Sequence, residues 1–195
     1  MSQDGVNRGR RRFLTAATSV VGAAGAVAAA VPFVGSWNPS ARARAAGAPV
    51  RADIGRLEPG QMVVVEWRGK PVYLLRRTQA ALDSIDQLDD RLADPESERS
   101  SQPDYITGRY RSIKDELLVI LGLCTHLGCA PSYRPEVGTV ERDWLGGFFC
   151  PCHGSKFDLA GRVYKNVPAP TNLEVPPHRY ETDTVLVIGE DEEVA

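Results

Sequence analysis

The sequence has few of the residues that build disulfide scaffolds and metal sites. It contains four cysteines and three histidines in 195 residues. So few cysteines exclude a disulfide-dense miniprotein. We find no internal repeat, no P-loop and no dinucleotide-binding fingerprint, which argues against a solenoid and against nucleotide-dependent enzymes of those classes. The length predicts one domain plus an extension.

The charge of the chain is small overall but unevenly distributed. The formal net charge is −2, so the composition predicts no nucleic-acid partner. Residues 1–44 contain six arginines and one acidic residue, a net charge of +5, and the remaining residues carry −7. A basic start and an acidic body indicate a membrane-oriented tail on a soluble domain.

Residues 13–37 form a stretch of 25 residues without a charged side chain. A helix needs about 20 mostly apolar residues to cross the hydrocarbon core of a membrane. We therefore predict one transmembrane helix over residues 13–37. Residues 38–49, rich in Ala, Pro and Gly, are predicted to be a flexible linker, with an ordered entry loop as the alternative.

The arginines before this stretch indicate its orientation. Residues 10–14 read R-R-R-F-L and resemble a twin-arginine export signal. The alternative is a basic flank that only orients the helix. Both interpretations place residues 1–12 in the cytoplasm and the body on the other side. An A-R-A site at residues 43–45 would allow cleavage, but the apolar stretch exceeds a usual signal-peptide core, which favours a retained anchor.

The body, residues 50–195, is predicted to be mostly β. A strand, a turn and a strand are predicted over 62–67, 68–71 and 72–77. Further strands are predicted at residues 117–121, 148–149, 156–158 and 184–188. Only residues 78–92 have apolar spacing typical of a helix. Residues 93–115 are polar and contain two prolines, which predicts a loop or an insertion.

All four cysteines and two of the three histidines fall into two short boxes. The first box, residues 124–129, reads C-T-H-L-G-C, and the second, residues 150–155, reads C-P-C-H-G-S. A predicted strand precedes each box, so both boxes can lie on loops at one end of a sheet. Together they offer six possible ligands, two more than a tetrahedral metal site needs.

Three interpretations of the boxes compete. They can be buried cysteines and structural histidines, a structural zinc site, or an iron–sulfur centre of the Rieske type. Zinc sites usually have C-x-x-C spacing and would leave two ligands unused. A Rieske centre takes two cysteines on one iron and two histidines on the other, and the two remaining cysteines can then form a disulfide outside the cytoplasm. Only the third interpretation uses every residue. His178 lies outside the boxes and is interpreted as structural or surface-exposed.

The boxes resemble those of the Rieske iron–sulfur subunit of the cytochrome bc complex, of the proteobacterial type. The resemblance extends to the twin-arginine anchor, the linker and the proline loop, residues 167–170 (V-P-A-P). It implies an all-β fold: a Rieske-type antiparallel domain with a small cluster-binding subdomain at about 119–170, on one N-terminal transmembrane helix. It also implies one [2Fe–2S] cluster, with Cys124 and Cys150 on the inner iron, His126 and His153 on the outer iron, and a disulfide between Cys129 and Cys152.

The resemblance implies a function as well. The chain would be the iron–sulfur subunit of quinol–cytochrome c reductase, a translocase, and not a complete enzyme alone. It would pass electrons from quinol to a membrane-bound c-type cytochrome, beside a cytochrome b subunit, in a dimeric complex. It would be a single-pass protein of the inner membrane with a periplasmic Rieske domain. The alternative is a Rieske subunit of another periplasmic oxidoreductase such as an arsenite oxidase, against which the linker and the proline loop argue.

Chemistry explains the mixed ligand set. Two thiolates and two neutral imidazoles carry less negative charge than four thiolates, so Rieske centres reach about −150 to +300 mV against about −400 mV for plant-type ferredoxins. An imidazole also keeps a second ring N–H, so His126 and His153 are predicted to face quinol and to couple electron and proton transfer.

Three further residues are predicted to surround the cluster. Ser155 can donate a hydrogen bond to a cluster sulfur, and Leu127 and Pro168 would provide an apolar cover. In one respect the chain departs from the family. Many members have tyrosine where this chain has Phe157, so one hydroxyl donor is absent.

Overall fold

The computed structural model describes residue 5 and residues 7–191. The chain divides into two compact units, with the boundary between Ala45 and Ala46. Residues 1–4 and 6 of the predicted cytoplasmic segment 1–12 lie outside the described residues.

The first unit is dominated by one long helix, α1 (Arg8–Gly35). It starts five residues before the predicted stretch because Asn7 caps it: the Asn7 side chain accepts a hydrogen bond from the Arg10 N–H at 3.0 Å, which satisfies an otherwise unpaired helix donor. Within the described residues, α1 is the one helix long and apolar enough to cross a membrane. A short helix, α2 (Ala41–Ala46), follows within the predicted linker.

The second unit contains three antiparallel sheets of three strands each in the described residues, in the orders β1-β9-β8, β2-β3-β4 and β5-β6-β7. The antiparallel, mainly β architecture agrees with the predicted fold class. The strands are β1 (Val50–Asp53), β2 (Met62–Trp67), β3 (Lys70–Arg76), β4 (Leu117–Leu121), β5 (Ser132–Arg134), β6 (Gly147–Cys150), β7 (Ser155–Phe157), β8 (His178–Thr182) and β9 (Val185–Ile188).

The hairpin of β2 and β3 is tighter than predicted. Its turn consists of Arg68 and Gly69, which both have positive φ (52° and 72°). Two-residue turns with positive φ match the twist of antiparallel strands. The register pairs Trp67 with Lys70, so β3 begins two residues before the predicted strand.

Strand β4 leads directly to the first cysteine box. All five of its residues are buried, because the sheet β2-β3-β4 is covered on both faces. Leu118 and Ile120 belong to one hydrophobic cluster, whereas Val119 and its neighbours on the same face belong to another. This two-sided burial fixes the strand and hence the position of the loop that follows Leu121.

The predicted helix over residues 78–92 is only partly helical. It forms α3 (Gln79–Ile85) and, after a break, a 3₁₀ turn at Asp89–Arg91. Thr78 begins α3, because its side chain accepts a hydrogen bond from the Ala81 N–H. Residues 93–115 contain neither helix nor strand, as predicted.

Candidate metal centre

The two boxes fold as matching loops. The first box follows β4, and the second connects β6 to β7, since Cys150 pairs with Ser155 across that hairpin. In each box the glycine four residues after the first cysteine donates its N–H to that cysteine's carbonyl, at 2.9 Å. Gly128 and Gly154 both have φ of 79°, a left-handed conformation that glycine adopts at no steric cost.

A disulfide joins the two loops. Cys129 and Cys152 are bonded, with their Cα atoms 6.7 Å apart. Their sulfur atoms lie within 4.8 Å of the Cys150 sulfur, but oxidised cysteines offer no thiolate to a metal. The cysteines that remain free are Cys124 and Cys150, which are 3% and 1% exposed.

The two free thiols lie close together in an apolar environment. Both cysteines belong to the same buried hydrophobic cluster. Burial raises the pKa of the Cys150 thiol above its ordinary value, although the N–H groups of Cys152 and His153 act in the opposite direction. The Cys150 thiol therefore stays protonated in the absence of metal, and a metal would displace this proton.

The two histidines of the boxes lie side by side nearer the surface. The ring centroids of His126 and His153 are 4.7 Å apart and the rings are nearly perpendicular, at 86°. His153 is exposed and His126 is half-buried. Nδ1 of His126 is buried and has no hydrogen-bond partner among the described residues. Such a nitrogen costs free energy unless it binds something, so its position fits a metal ligand.

The donor set is thus two buried thiols and two outward imidazoles. This is the ligand set of a Rieske [2Fe–2S] centre, which takes sulfur donors on one iron and nitrogen donors on the other. The predicted quartet of Cys124, His126, Cys150 and His153 would supply these donors, and its role as the ligand set stays a prediction. Two cysteines and two histidines also suit zinc, so the donor set alone leaves two kinds of metal site.

The roles of Ser155, Leu127 and Pro168 around the metal stay predictions, and the structure shows their surroundings. Ser155 is fully buried, and its Oγ accepts a hydrogen bond from the Ala169 N–H in the proline loop at 3.1 Å. The Ser155 hydroxyl hydrogen is therefore available to donate elsewhere. Leu127, next to His126 in the chain, is 71% exposed, and Pro168 is exposed, so both apolar side chains are open to a partner.

Two residues that support the first box were not predicted from the sequence. A Cβ on Gly122 would lie 2.2 Å from the Tyr73 ring, so only glycine allows the ring to pack there. The Tyr73 hydroxyl donates to the carbonyl of Pro131 at 3.0 Å, just after the first box. A glycine between strand and box was the only signal in the sequence.

His178, the histidine outside the boxes, is buried on β8. Its Nδ1 lies 2.8 Å from the carbonyl of Pro176, which is a structural role.

Comparisons with known proteins decide between the two kinds of metal. A family model described as the Rieske [2Fe-2S] domain matches residues 49–177. A second, described as the ubiquitinol-cytochrome C reductase Fe-S subunit TAT signal, matches residues 1–40. The ubiquinol-cytochrome c reductase iron-sulfur subunit of Allochromatium vinosum is 62% identical over 98% of this chain and 93% of its own length. The chain belongs to this Rieske iron–sulfur subunit family.

Other relatives have the same name. The ubiquinol-cytochrome c reductase iron-sulfur subunit of Blastochloris viridis is 46% identical over 96% of this chain and 97% of its own. A solved structure titled "Hyperthermophilic respiratory Complex III" covers 89% of this chain and 99% of its own, at 24% identity and a TM-score of 0.48. As a member of the family, the chain is an electron-transfer subunit of a redox enzyme complex with a [2Fe–2S] Rieske domain. The zinc and arsenite-oxidase alternatives are not supported.

Phe157 lies on the face of the hairpin that carries Cys150, a predicted metal ligand. Cys150 pairs with Ser155, and Phe148 pairs with Phe157. Because side chains alternate along a strand, these four residues share one face. Phe157 is fully buried in the hydrophobic cluster that also contains Cys124. It shares this cluster and this face of the hairpin with the predicted sulfur ligands, and its ring has no hydroxyl to donate to them.

Replacing Phe157 by tyrosine is expected to raise the midpoint potential. A hydroxyl that donates to a ligand sulfur stabilises the more negative reduced state. If the two redox states differ by about 1 kcal/mol in this bond, the one-electron potential rises by about 40 mV. Redox titration followed by EPR measures it. Phe149→Tyr adds the same hydroxyl on the opposite face of β6 and is the control. Equal potentials in the two variants would refute the assignment.

Proposed function

We propose that this chain takes an electron from a quinol at His126 and His153 and passes it to a c-type cytochrome of the same complex. The observation that supports this most directly is the separation of the ligands by exposure. The thiols of Cys124 and Cys150 are buried, whereas the His153 side chain is exposed. Only the imidazole side can meet a substrate, so electron and proton would be exchanged there.

Each part of the site has a task in this proposal. When bound, the cluster accepts one electron at a potential that a quinol can reach. Cys124 and Cys150 would hold it through their thiolates, and His126 and His153 would each hold it through one ring nitrogen and keep the other to carry a proton. Leu127 and Pro168 keep water from the site and would contact the cytochrome b subunit. The Ser155 hydroxyl would donate to a cluster sulfur and so favour the reduced form.

The membrane arrangement is also part of the proposal. Helix α1 would span the inner membrane once, with residues 1–12 in the cytoplasm and the Rieske domain, residues 50–195, in the periplasm. The arginines before the apolar stretch support this orientation, as does the match of residues 1–40 to an export signal. Residues 38–49 would let the domain move between quinol site and cytochrome in a dimeric complex, and the boundary after Ala45 supports a joint there.

The proposal is tested on the intact complex in native membranes. Membranes reduced with dithionite should give a Rieske EPR signal, and this signal should shift when an inhibitor of the quinol site is added. Metal analysis of the isolated chain should give about two irons and two acid-labile sulfides. Stoichiometric zinc without iron, or an EPR signal that is unchanged when the inhibitor is added, would overturn the proposal.

A further inference from the structure

Two polar side chains in the 94–101 segment of the loop 93–115, Asp94 and Ser97, are buried and hydrogen-bonded. In the 94–101 segment the Asp94 carboxylate accepts hydrogen bonds from the backbone N–H groups of Glu98 and Arg99 and from the Ser100 hydroxyl, at 2.8–3.1 Å. Ser97 is 7% exposed and has φ of 60°, a left-handed conformation that costs free energy for a residue with a Cβ. A polar loop therefore holds two buried, hydrogen-bonded side chains, one of them at a positive φ.

The 94–101 segment binds the side chain of Asn172, which lies far from it in the sequence. Asn172 is 1% exposed, and its Nδ2 donates to the Asp94 carbonyl and to the Ser97 Oγ, both at 2.9 Å. Its Oδ1 accepts from the Val163 N–H at 2.8 Å. The carbonyl of Val163 in turn accepts from the Ala93 N–H. Every polar atom of the Asn172 side chain is therefore bonded to backbone or side chain on a neighbouring segment.

Asn172 lies two residues after the proline loop, and the chain between them is bonded to both boxes. The carbonyl of Thr171 accepts from the Thr125 Oγ1 in the first box at 2.7 Å. The Ala169 N–H donates to the Ser155 Oγ in the second box. A displacement of Asn172 would therefore reach both loops that hold the metal ligands, without any contact between Asn172 and a ligand.

We infer that Asn172 and Ser97 are positioning residues for the iron–sulfur site. The 94–101 segment fixes Asn172, and Asn172 fixes the C-terminal side of the proline loop. Thr171 and Ala169 then bond to one box each, in addition to the disulfide that joins the boxes. The polar loop is then a distant support of the site. This inference rests on the proposed ligand quartet, but it concerns residues outside it.

The test compares two buried serines in the full chain within native membranes. Ser97→Gly removes the oxygen that accepts from Asn172 and also relieves the positive φ, so the fold should persist. Ser84→Ala is the control, because Ser84 is also buried and its hydroxyl bonds only within α3, to the Ala81 carbonyl. Asn172→Ala removes the whole connection.

Cluster content per chain and the EPR line shape of the reduced cluster are the readouts. At elevated temperature Ser97→Gly should lose its cluster about five-fold faster than Ser84→Ala, the equivalent of one hydrogen bond. Its g values should also shift, which a loss of stability alone would not produce. Asn172→Ala should show a larger loss and the same shift.

The outcomes separate this inference from the proposed function. If Ser97→Gly and Ser84→Ala lose cluster at the same rate with unchanged g values, the positioning role is refuted, although the ligand quartet stands. If Asn172→Ala does not accumulate, Ser97→Gly alone decides. Zinc in the unmodified chain would instead refute the proposed function.

Discussion

Alanine in place of Cys124, His126, Cys150 or His153 is expected to abolish the [2Fe–2S] centre. Each residue offers one donor atom, and the quartet has no spare member, because Cys129 and Cys152 are bonded to each other. Iron and acid-labile sulfide should fall from about two per chain to the background level, together with the EPR signal. Retention of half the iron in any single variant would contradict the assigned quartet.

Two controls separate ligands from neighbours. His178→Asn changes the remaining histidine and keeps an amide nitrogen near the carbonyl of Pro176, to which Nδ1 of His178 is bonded, so the cluster should remain. The double variant of Cys129 and Cys152 to serine removes a tie between the loops and no ligand. We expect it to keep a cluster that is lost more readily, because a disulfide restrains the loops that it joins.

The metal site was predictable because its chemistry constrains residue type and spacing at once. Cysteine and histidine are rare in this chain, so their concentration in two boxes is visible without any structure. The glycines of the boxes are constrained in a similar way, because Gly128 and Gly154 adopt a positive φ that favours glycine. The strands next to the boxes are strongly apolar, which is why β4 could be located from its sequence.

The supports of the site could not be predicted because they depend on contacts between distant residues. Asn172 and Asp94 are 78 positions apart, and neither stands in a motif. Strand β5 has only three residues, none of them buried, so it has no alternating apolar and polar pattern from which to predict it. Tyr73 was visible as part of a strand, but its contact with Gly122 arises only when β3 and β4 pair.

A buried ion pair provides the second large expected effect. Asp158 and Arg162 have fully buried side chains, and the Arg162 Nε donates to the Asp158 carboxylate at 2.8 Å. The same carboxylate accepts from the N–H groups of Ala160 and Arg162, at 2.9 and 2.7 Å. The other guanidinium nitrogens of Arg162 bind Asp89 and the carbonyl of Ile85. The pair therefore connects the turn after β7 to the end of α3.

Replacing Asp158 by asparagine is expected to destabilise the Rieske domain strongly. The variant leaves the Arg162 charge buried beside an amide that cannot accept from Nε in the same way, and breaking a buried pair costs about 3–5 kcal/mol. Because Asp89 still pairs with Arg162, we expect about 3 kcal/mol, or roughly 10 °C in the melting temperature. Cluster circular dichroism of the purified complex during heating measures it.

Asp183→Asn is the control. It breaks the pair with Lys114, in which the Asp183 side chain is 99% exposed, and should melt within about 2 °C of the unmodified complex. Equal melting temperatures of the two variants would mean that the buried pair contributes no more than an exposed one.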